Sequence, residues 1–230
     1  MQALLDNLAA VVIGATVLLI IAFTQFKGQE AAVDGVQYYA AKTHLVDFVR
    51  QLQVDLNSLG AGVPNAQIET GDAFAAYAAT ADTTDVLAFR TYGDSTAFAA
   101  KAATDVVCYQ RTLTGETAHV RDPATGAYVA KPTFQVVRRL NPTTTPTTCT
   151  GGTVTGASMS SLTEFHVDLR REDGTPTAAF AEVRQLGVHV RAVSPLGGGT
   201  TEHQGGMKQH VDETRWNGVI RPPNLTRYAP

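Results

Sequence analysis

The sequence predicts an α+β fold in which a long N-terminal helix packs on a globular domain built on an antiparallel β-sheet. Three observations lead to this prediction. Residues 7–26 contain no ionisable side chain, and an apolar stripe at helical spacing follows them and ends just before Gly60. Beyond Pro64, short runs with alternating apolar residues are separated by turn residues, which is typical of strands joined as antiparallel hairpins.

Residues 1–26 are predicted to be the membrane-spanning half of the helix. An uncharged run of about 20 residues has the length of a helix that crosses the hydrocarbon core of a bilayer. A secretory signal peptide usually has a basic n-region and a small-residue cleavage site, whereas the only charges before this run are the amino terminus and Asp6. We therefore expect this segment to remain on the chain and to have a membrane phase.

Residues 27–60 are predicted to be the amphipathic half of the same helix. Apolar side chains recur there at steps of three and four residues, which places them on one face. Gly60 and Pro64 supply the stop, because glycine accepts the left-handed C-terminal cap and proline cannot continue a helix. The stripe consists of Tyr38, Ala41, Leu45, Phe48, Leu52, Leu56 and Leu59.

Residues 61–230 are predicted to form a β-rich extracytoplasmic domain. A short helix is expected at Asp72–Ala79, and residues 141–158 and 195–209 are expected to be long surface loops. Turn residues such as those at 122–126 and 172–176 favour hairpins over crossovers. The predicted strands are DVLAFRTYG, DVVCYQRTL, FQVVRRL, LTEFHVDLRRE, FAEVRQLGVHVRAV and WNGVIR.

The two cysteines, Cys108 and Cys149, both lie in the β-rich part. An isolated pair in a protein exported from the cytoplasm is most simply a disulfide. The alternative is two buried free thiols. A zinc site would need further ligands at short spacing, and the sequence shows none beside these cysteines.

Composition and motifs favour a structural protein over an enzyme. The formal charge of −3 is spread without a basic stripe, so no nucleic acid partner is expected. No pair among the six histidines has the spacing of a helical metal motif, and the chain has no P-loop, GxGxxG or GxSxG. We therefore expect no catalytic residues, no cofactor and no metal.

Two local patterns are each open to two interpretations, one as a functional site and one without a function. His203 and His210 share a glycine-rich segment with Glu202 and Asp212, which would suit a metal site or a solvated loop. Asn224-Leu-Thr matches an N-glycosylation acceptor, a short pattern that often occurs by chance.

Over its whole length the chain resembles the type IV pilin superfamily. QLQVDLNSLGAG is similar to the helix end of its larger minor pilins and J-type pseudopilins, TTDVLAFRTYG to their first strand, and TRWNGVIRPPNL to their closing strand. The resemblance depends more on the order and spacing of these segments than on the identity of their residues. It implies a structural subunit of a pilus-like or pseudopilus-like filament, which polymerises through its N-terminal helix.

The resemblance also implies partners and a location. The subunit would lie in the inner membrane, meet the assembly machinery there, and then join copies of itself or related pilins in an extracellular filament. Pilins have a cleaved basic leader and a glutamate at mature position five, whereas here no leader is visible and Leu5 precedes Asp6. If Met1 is the processed terminus, Asp6 stands in for that glutamate. If Met1 is the translational start, the chain is a leaderless variant.

Asp6 would act by pairing with the amino terminus of a neighbouring subunit, because an unpaired charge is costly in hydrocarbon. The alternative is a solvated residue at the membrane interface. Neighbouring helices could approach closely at four small residues, Ala9, Ala10, Gly14 and Ala15. Small residues of this kind are also common in helices that serve only as membrane anchors. If the helix is only an anchor, the alternative to a filament subunit is a membrane-anchored extracytoplasmic binding module with a β-rich domain.

Overall fold

The computed structural model describes residues 2–80, 83–91, 105–121, 125–158, 160–193 and 213–226. The chain divides into two units, residues 1–40 and residues 41–230. The first unit is helical. The second contains the rest of the same helix and the β-sheet, and it has its own hydrophobic core.

Helix α1 spans Gln2–Asn57, as the two sequence patterns together predict. From Ala41 onwards its predicted apolar stripe is buried against the sheet, and Leu52 and Leu56 are completely inaccessible to solvent. Val49 is buried as well, which widens the buried face. This packing confirms the expected α+β arrangement of an amphipathic helix on a sheet.

The end of α1 follows the predicted glycine signal. Gly60 has φ 76°, a left-handed conformation that favours glycine, and its N–H donates to the carbonyl of Arg90 on a neighbouring strand. A short helix, α2 (Asn65–Glu69), comes next. Another short helix near the other end of the chain, α3 (Pro223–Thr226), lies beside this turn, where the side-chain amide of Asn224 donates to the carbonyl of Leu59 at 3.2 Å.

The described residues place eight strands in one antiparallel sheet, in the order β1-β2-β3-β4-β8-β9-β10 with β7 paired to β4. A separate two-stranded ribbon joins β5 to β6. The strands are β1 (Phe74–Ala79), β2 (Thr84–Thr91), β3 (Asp105–Arg121), β4 (Tyr128–Leu140), β5 (Thr143–Thr144), β6 (Cys149–Thr150), β7 (Thr153–Ala157), β8 (Leu162–Arg170), β9 (Gln185–Val193) and β10 (Glu213–Ile220).

The outer edge of β8 is capped by side chains from β1 and β2. The hydroxyl of Tyr77 donates to the carbonyl of Val167, and the N–H of Val167 donates to the hydroxyl of Thr84 at 2.9 Å. These bonds satisfy backbone groups that a neighbouring strand would otherwise have to pair. The sheet therefore curls until its first two strands reach β8, and the core is enclosed between this curve and α1.

Two local predictions were wrong. Asp72–Ala79 was expected to be helical, but its alanine-rich part forms β1, because pairing with β2 outweighs the helix propensity of alanine. Residues 141–158 were expected to be one long loop, but they contain β5, β6 and β7. The other predicted loop, 195–209, lies outside the described residues.

Candidate functional site

The first candidate site is the apolar surface of α1 in the first unit. From Val11 to Gln29 every described side chain is exposed, with values of 71% for Val11 and Leu19 and 45% for Ile21. The helix is long and apolar enough to cross a membrane, and none of its most apolar stretch is buried within the chain. So large an apolar surface calls for lipid or a protein partner.

The hydroxyl groups within this surface are already satisfied. Thr16 donates to the carbonyl of Val12 at 2.7 Å, and Thr24 donates to the carbonyls of Ile20 and Ile21 at 3.0 and 2.9 Å. Such bonds to the preceding turn let a threonine enter hydrocarbon without an unpaired donor. These hydroxyls therefore suit an apolar environment.

The residues predicted to act in assembly lie mainly at the start of α1. Asp6, Ala9 and Ala10 fall within the helix, but the structure does not describe their side chains, and Met1 lies outside the described residues. Gly14 and Ala15 are exposed, and apart from the adjacent backbone of α1 no atom lies within 4 Å of the place where a Cβ on Gly14 would be. Their predicted roles stay predictions.

A buried polar cluster that is not among the predicted sites joins the last part of α1 to the sheet. The Asp55 carboxylate accepts two bonds from Arg138, at 2.6 and 3.1 Å, and one from Gln51 at 3.1 Å. The hydroxyl of Tyr109 donates to the same carboxylate, while Arg138 also donates to Thr155. Asp55 is 5% exposed and Arg138 9%. We interpret this cluster as structural, because the carboxylate has four donors.

The electrostatics of the cluster follow from burial and pairing. Burial raises the pKa of Tyr109 well above its usual value, and the neighbouring Asp55 charge raises it further. Burial alone would lower the pKa of Arg138, but its bonds to Asp55 raise that pKa. The cluster therefore consists of an ion pair and a neutral phenol at ordinary pH.

A second polar cluster lies on the face of the sheet across β8 and β9. Asp168 accepts from His166 at 2.6 Å and from Arg170 at 2.8 Å, and His189 lies 3.4 Å from it. Although partial burial disfavours its charge, these bonds from Arg170 and His166 lower the pKa of Asp168. Across the part of the chain that is described, no group of three or more His, Cys, Asp or Glu side chains could hold a metal ion.

The cysteines and the sequon also have clear positions. Cys108 on β3 and Cys149 on β6 form the predicted disulfide, with both side chains buried. The Asn224 amide of the sequon donates to the carbonyl of Leu59 in the turn after α1, so a glycan there would disrupt that contact. The histidine-containing segment 202–212 lies outside the described residues.

Comparison of the chain with protein-family models, curated proteins and solved structures finds no match.

Proposed function

We propose that this chain is a structural subunit of a type IV pilus-like or pseudopilus-like filament. It is held in the inner membrane by the first half of α1 and then polymerises outside the membrane through the same surface. Its action is non-covalent assembly rather than catalysis. The observation that carries the proposal is the uncovered apolar surface of α1 from Val11 to Phe26.

The length of α1 supports this proposal over a plain anchor. An anchor needs only about 20 apolar residues, and a flexible linker commonly follows it. Here the helix runs from Gln2 to Asn57, and its last part contributes to the core of the globular unit. A helix built in this way can exchange lipid for neighbouring copies of itself, because both surround it with apolar groups.

Shearing of cells that express the full chain tests the proposal. A filament subunit should enter the sheared, detergent-free fraction as long polymers that are visible by electron microscopy. An anchored binding module should stay with the membranes until detergent is added. Recovery of the chain only in the detergent extract, from cells with a complete assembly machinery, would contradict the filament proposal.

The role of Asp6 can be tested in the same assay. Asp6→Ala should reduce incorporation into sheared polymers and leave the β domain folded, because its charge would no longer pair with a neighbouring amino terminus. Glu69→Ala is the matched control, since it removes an exposed carboxylate from α2. A wild-type filament yield from the Asp6 variant would remove the proposed role of this residue.

A further inference from the structure

Within the described residues, β7 has a neighbouring strand on only one of its edges. It pairs with β4 from Val137 to Leu140. The N–H of Ser158 donates to the carbonyl of Val136 on β4 at 2.8 Å. Because successive residues of a strand direct their backbone groups to opposite edges, the N–H and C=O of Ala157 face away from β4. An added strand could pair with these groups.

The sequence of β7, TVTGA, lacks the chemical protection of many edge strands, although the strand is five residues long and its pairing with β4 has a register shift between Arg138 and Arg139. It contains no charged residue and no proline, and Val154 is 54% exposed. The edge strand β10, by contrast, carries Glu213 and Arg215. An uncharged edge without proline can serve as a template for pairing with another chain, here over the few residues that β7 offers.

A cleft of about 240 Å³ lies beside this strand, within the globular unit. Thr155, Gly156 and Ala157 line it on one side, and His44, Asp47 and Phe48 of α1 line it on the other. Pockets for drug-sized ligands are commonly larger, at about 300–1,000 Å³. The cleft therefore suits a single side chain of a bound peptide.

The charge of the cleft selects the kind of side chain. Asp47 is exposed and forms no ion pair with any residue that the structure describes. Arg138 also borders the cleft, but two of its nitrogens are bonded to Asp55. Of these two charged groups, the carboxylate of Asp47 is therefore the one that can pair with a ligand. The ring of Phe48 offers an apolar surface for the stem of a long cationic side chain.

We propose that the β7 edge and this cleft bind an extended segment of another polypeptide, which adds a strand to β7 and places a lysine or arginine side chain beside Asp47. Backbone pairing would supply affinity, and the cleft would select the side chain. This binding site uses a later part of α1 than the surface from Val11 to Phe26 through which filament formation is proposed.

Peptide binding to the full chain in detergent tests the proposal. The probe is the peptide TVKVT-amide with fluorescein attached to its N-terminal amine, so that the lysine keeps its charge, and binding is measured by fluorescence anisotropy. A peptide with glutamate in place of its lysine should bind more weakly. Asp47→Asn should weaken binding of the lysine peptide about three- to fivefold, as expected for a partly exposed ion pair. Glu69→Gln, which removes a carboxylate outside the cleft, should not change it.

Two N-methylated forms of the lysine peptide test the strand pairing without altering the protein. Each carries methyl groups on one of the two alternating sets of amides. Pairing with one edge requires that one form loses binding and the other keeps it. Equal binding of both forms, equal binding of the lysine and glutamate peptides, or no binding of the lysine peptide at millimolar concentration would overturn the proposal. Near-ultraviolet circular dichroism checks that each variant is folded.

Discussion

Among single residues, Asp55 links the last part of α1 to the sheet through its bonds to Arg138. It lies three residues after Leu52 and four before Leu59, so helical spacing alone places it on the buried face. Its burial could therefore have been predicted. Its partner Arg138 is 83 residues away, and no local pattern links the two. The apolar stripe was predictable because it is periodic, whereas the ion pair depends on tertiary packing.

Removal of one partner from this buried pair should be costly. Asp55→Asn leaves the Arg138 charge without its counterion, so the free energy of unfolding should fall by about 3–5 kcal/mol. Asp47→Asn makes the same substitution at an exposed position of the same helix and should change stability by less than about 0.5 kcal/mol. Urea unfolding followed by circular dichroism compares the two, and equal midpoints would contradict the structural role of Asp55.

The raised pKa of Tyr109 predicts a loss of stability at alkaline pH. The folded state favours the neutral phenol, so its contribution is complete below the usual pKa of 10.0 and is lost as pH rises from there through the folded pKa. Tyr109→Phe should therefore reduce the decline in unfolding free energy above about pH 10. An unchanged alkaline slope in this variant would show that Tyr109 does not contribute to it.

At the scale of elements, the sequence predicted the strands better than the segments between them. The runs that became β2, β8 and β10 alternate clearly or contain many β-branched residues. The segment that became β1 is rich in alanine, which has the highest helix propensity, and only its pairing with β2 makes it a strand. β5 and β6 have two residues each, too few for any periodicity.

The disulfide should hold the β5–β6 ribbon on the sheet. It closes a loop with a sequence separation of 41 residues, for which chain entropy predicts a stabilisation of about 4 kcal/mol. Reduction should loosen residues 109–148 and expose the ribbon to protease. Limited proteinase K digestion with and without reductant, analysed by mass spectrometry, checks this expectation, because residues 141–152 contain no lysine or arginine for trypsin. Unchanged protease resistance after reduction would mean that the ribbon is held by other contacts.

At the scale of the whole molecule, the chain combines an uncovered apolar helix with a globular unit that has its own core. The α+β class was predictable because its signals are long: an uncharged run, a helical stripe and repeated strands. The partner of the apolar surface was predicted only through the family resemblance. An apolar surface can pack against lipid or against another apolar helix, so its composition alone does not identify the partner.

Deletion of residues 1–40 should remove the uncovered apolar surface and leave the globular unit folded. The shortened chain begins at Ala41 and keeps the buried positions of α1, including Leu45 and Leu56. It should remain folded and soluble without detergent, because the large apolar surface is gone. Size-exclusion chromatography and circular dichroism measure both properties. If the shortened chain folds but aggregates, a second apolar surface that requires a partner must lie within residues 41–230.

Packing of the apolar surface of α1 against neighbouring copies is measured most directly by the accessibility of one cysteine introduced at Leu19, which is 71% exposed within the chain. Both native cysteines are in the disulfide, so the new thiol is the one that reacts. In sheared, detergent-free material, Leu19→Cys should resist a water-soluble maleimide, whereas Glu69→Cys on the exposed surface should react. Absence of the chain from that material, or rapid labelling at position 19 within it, would contradict packing of this surface against neighbouring copies.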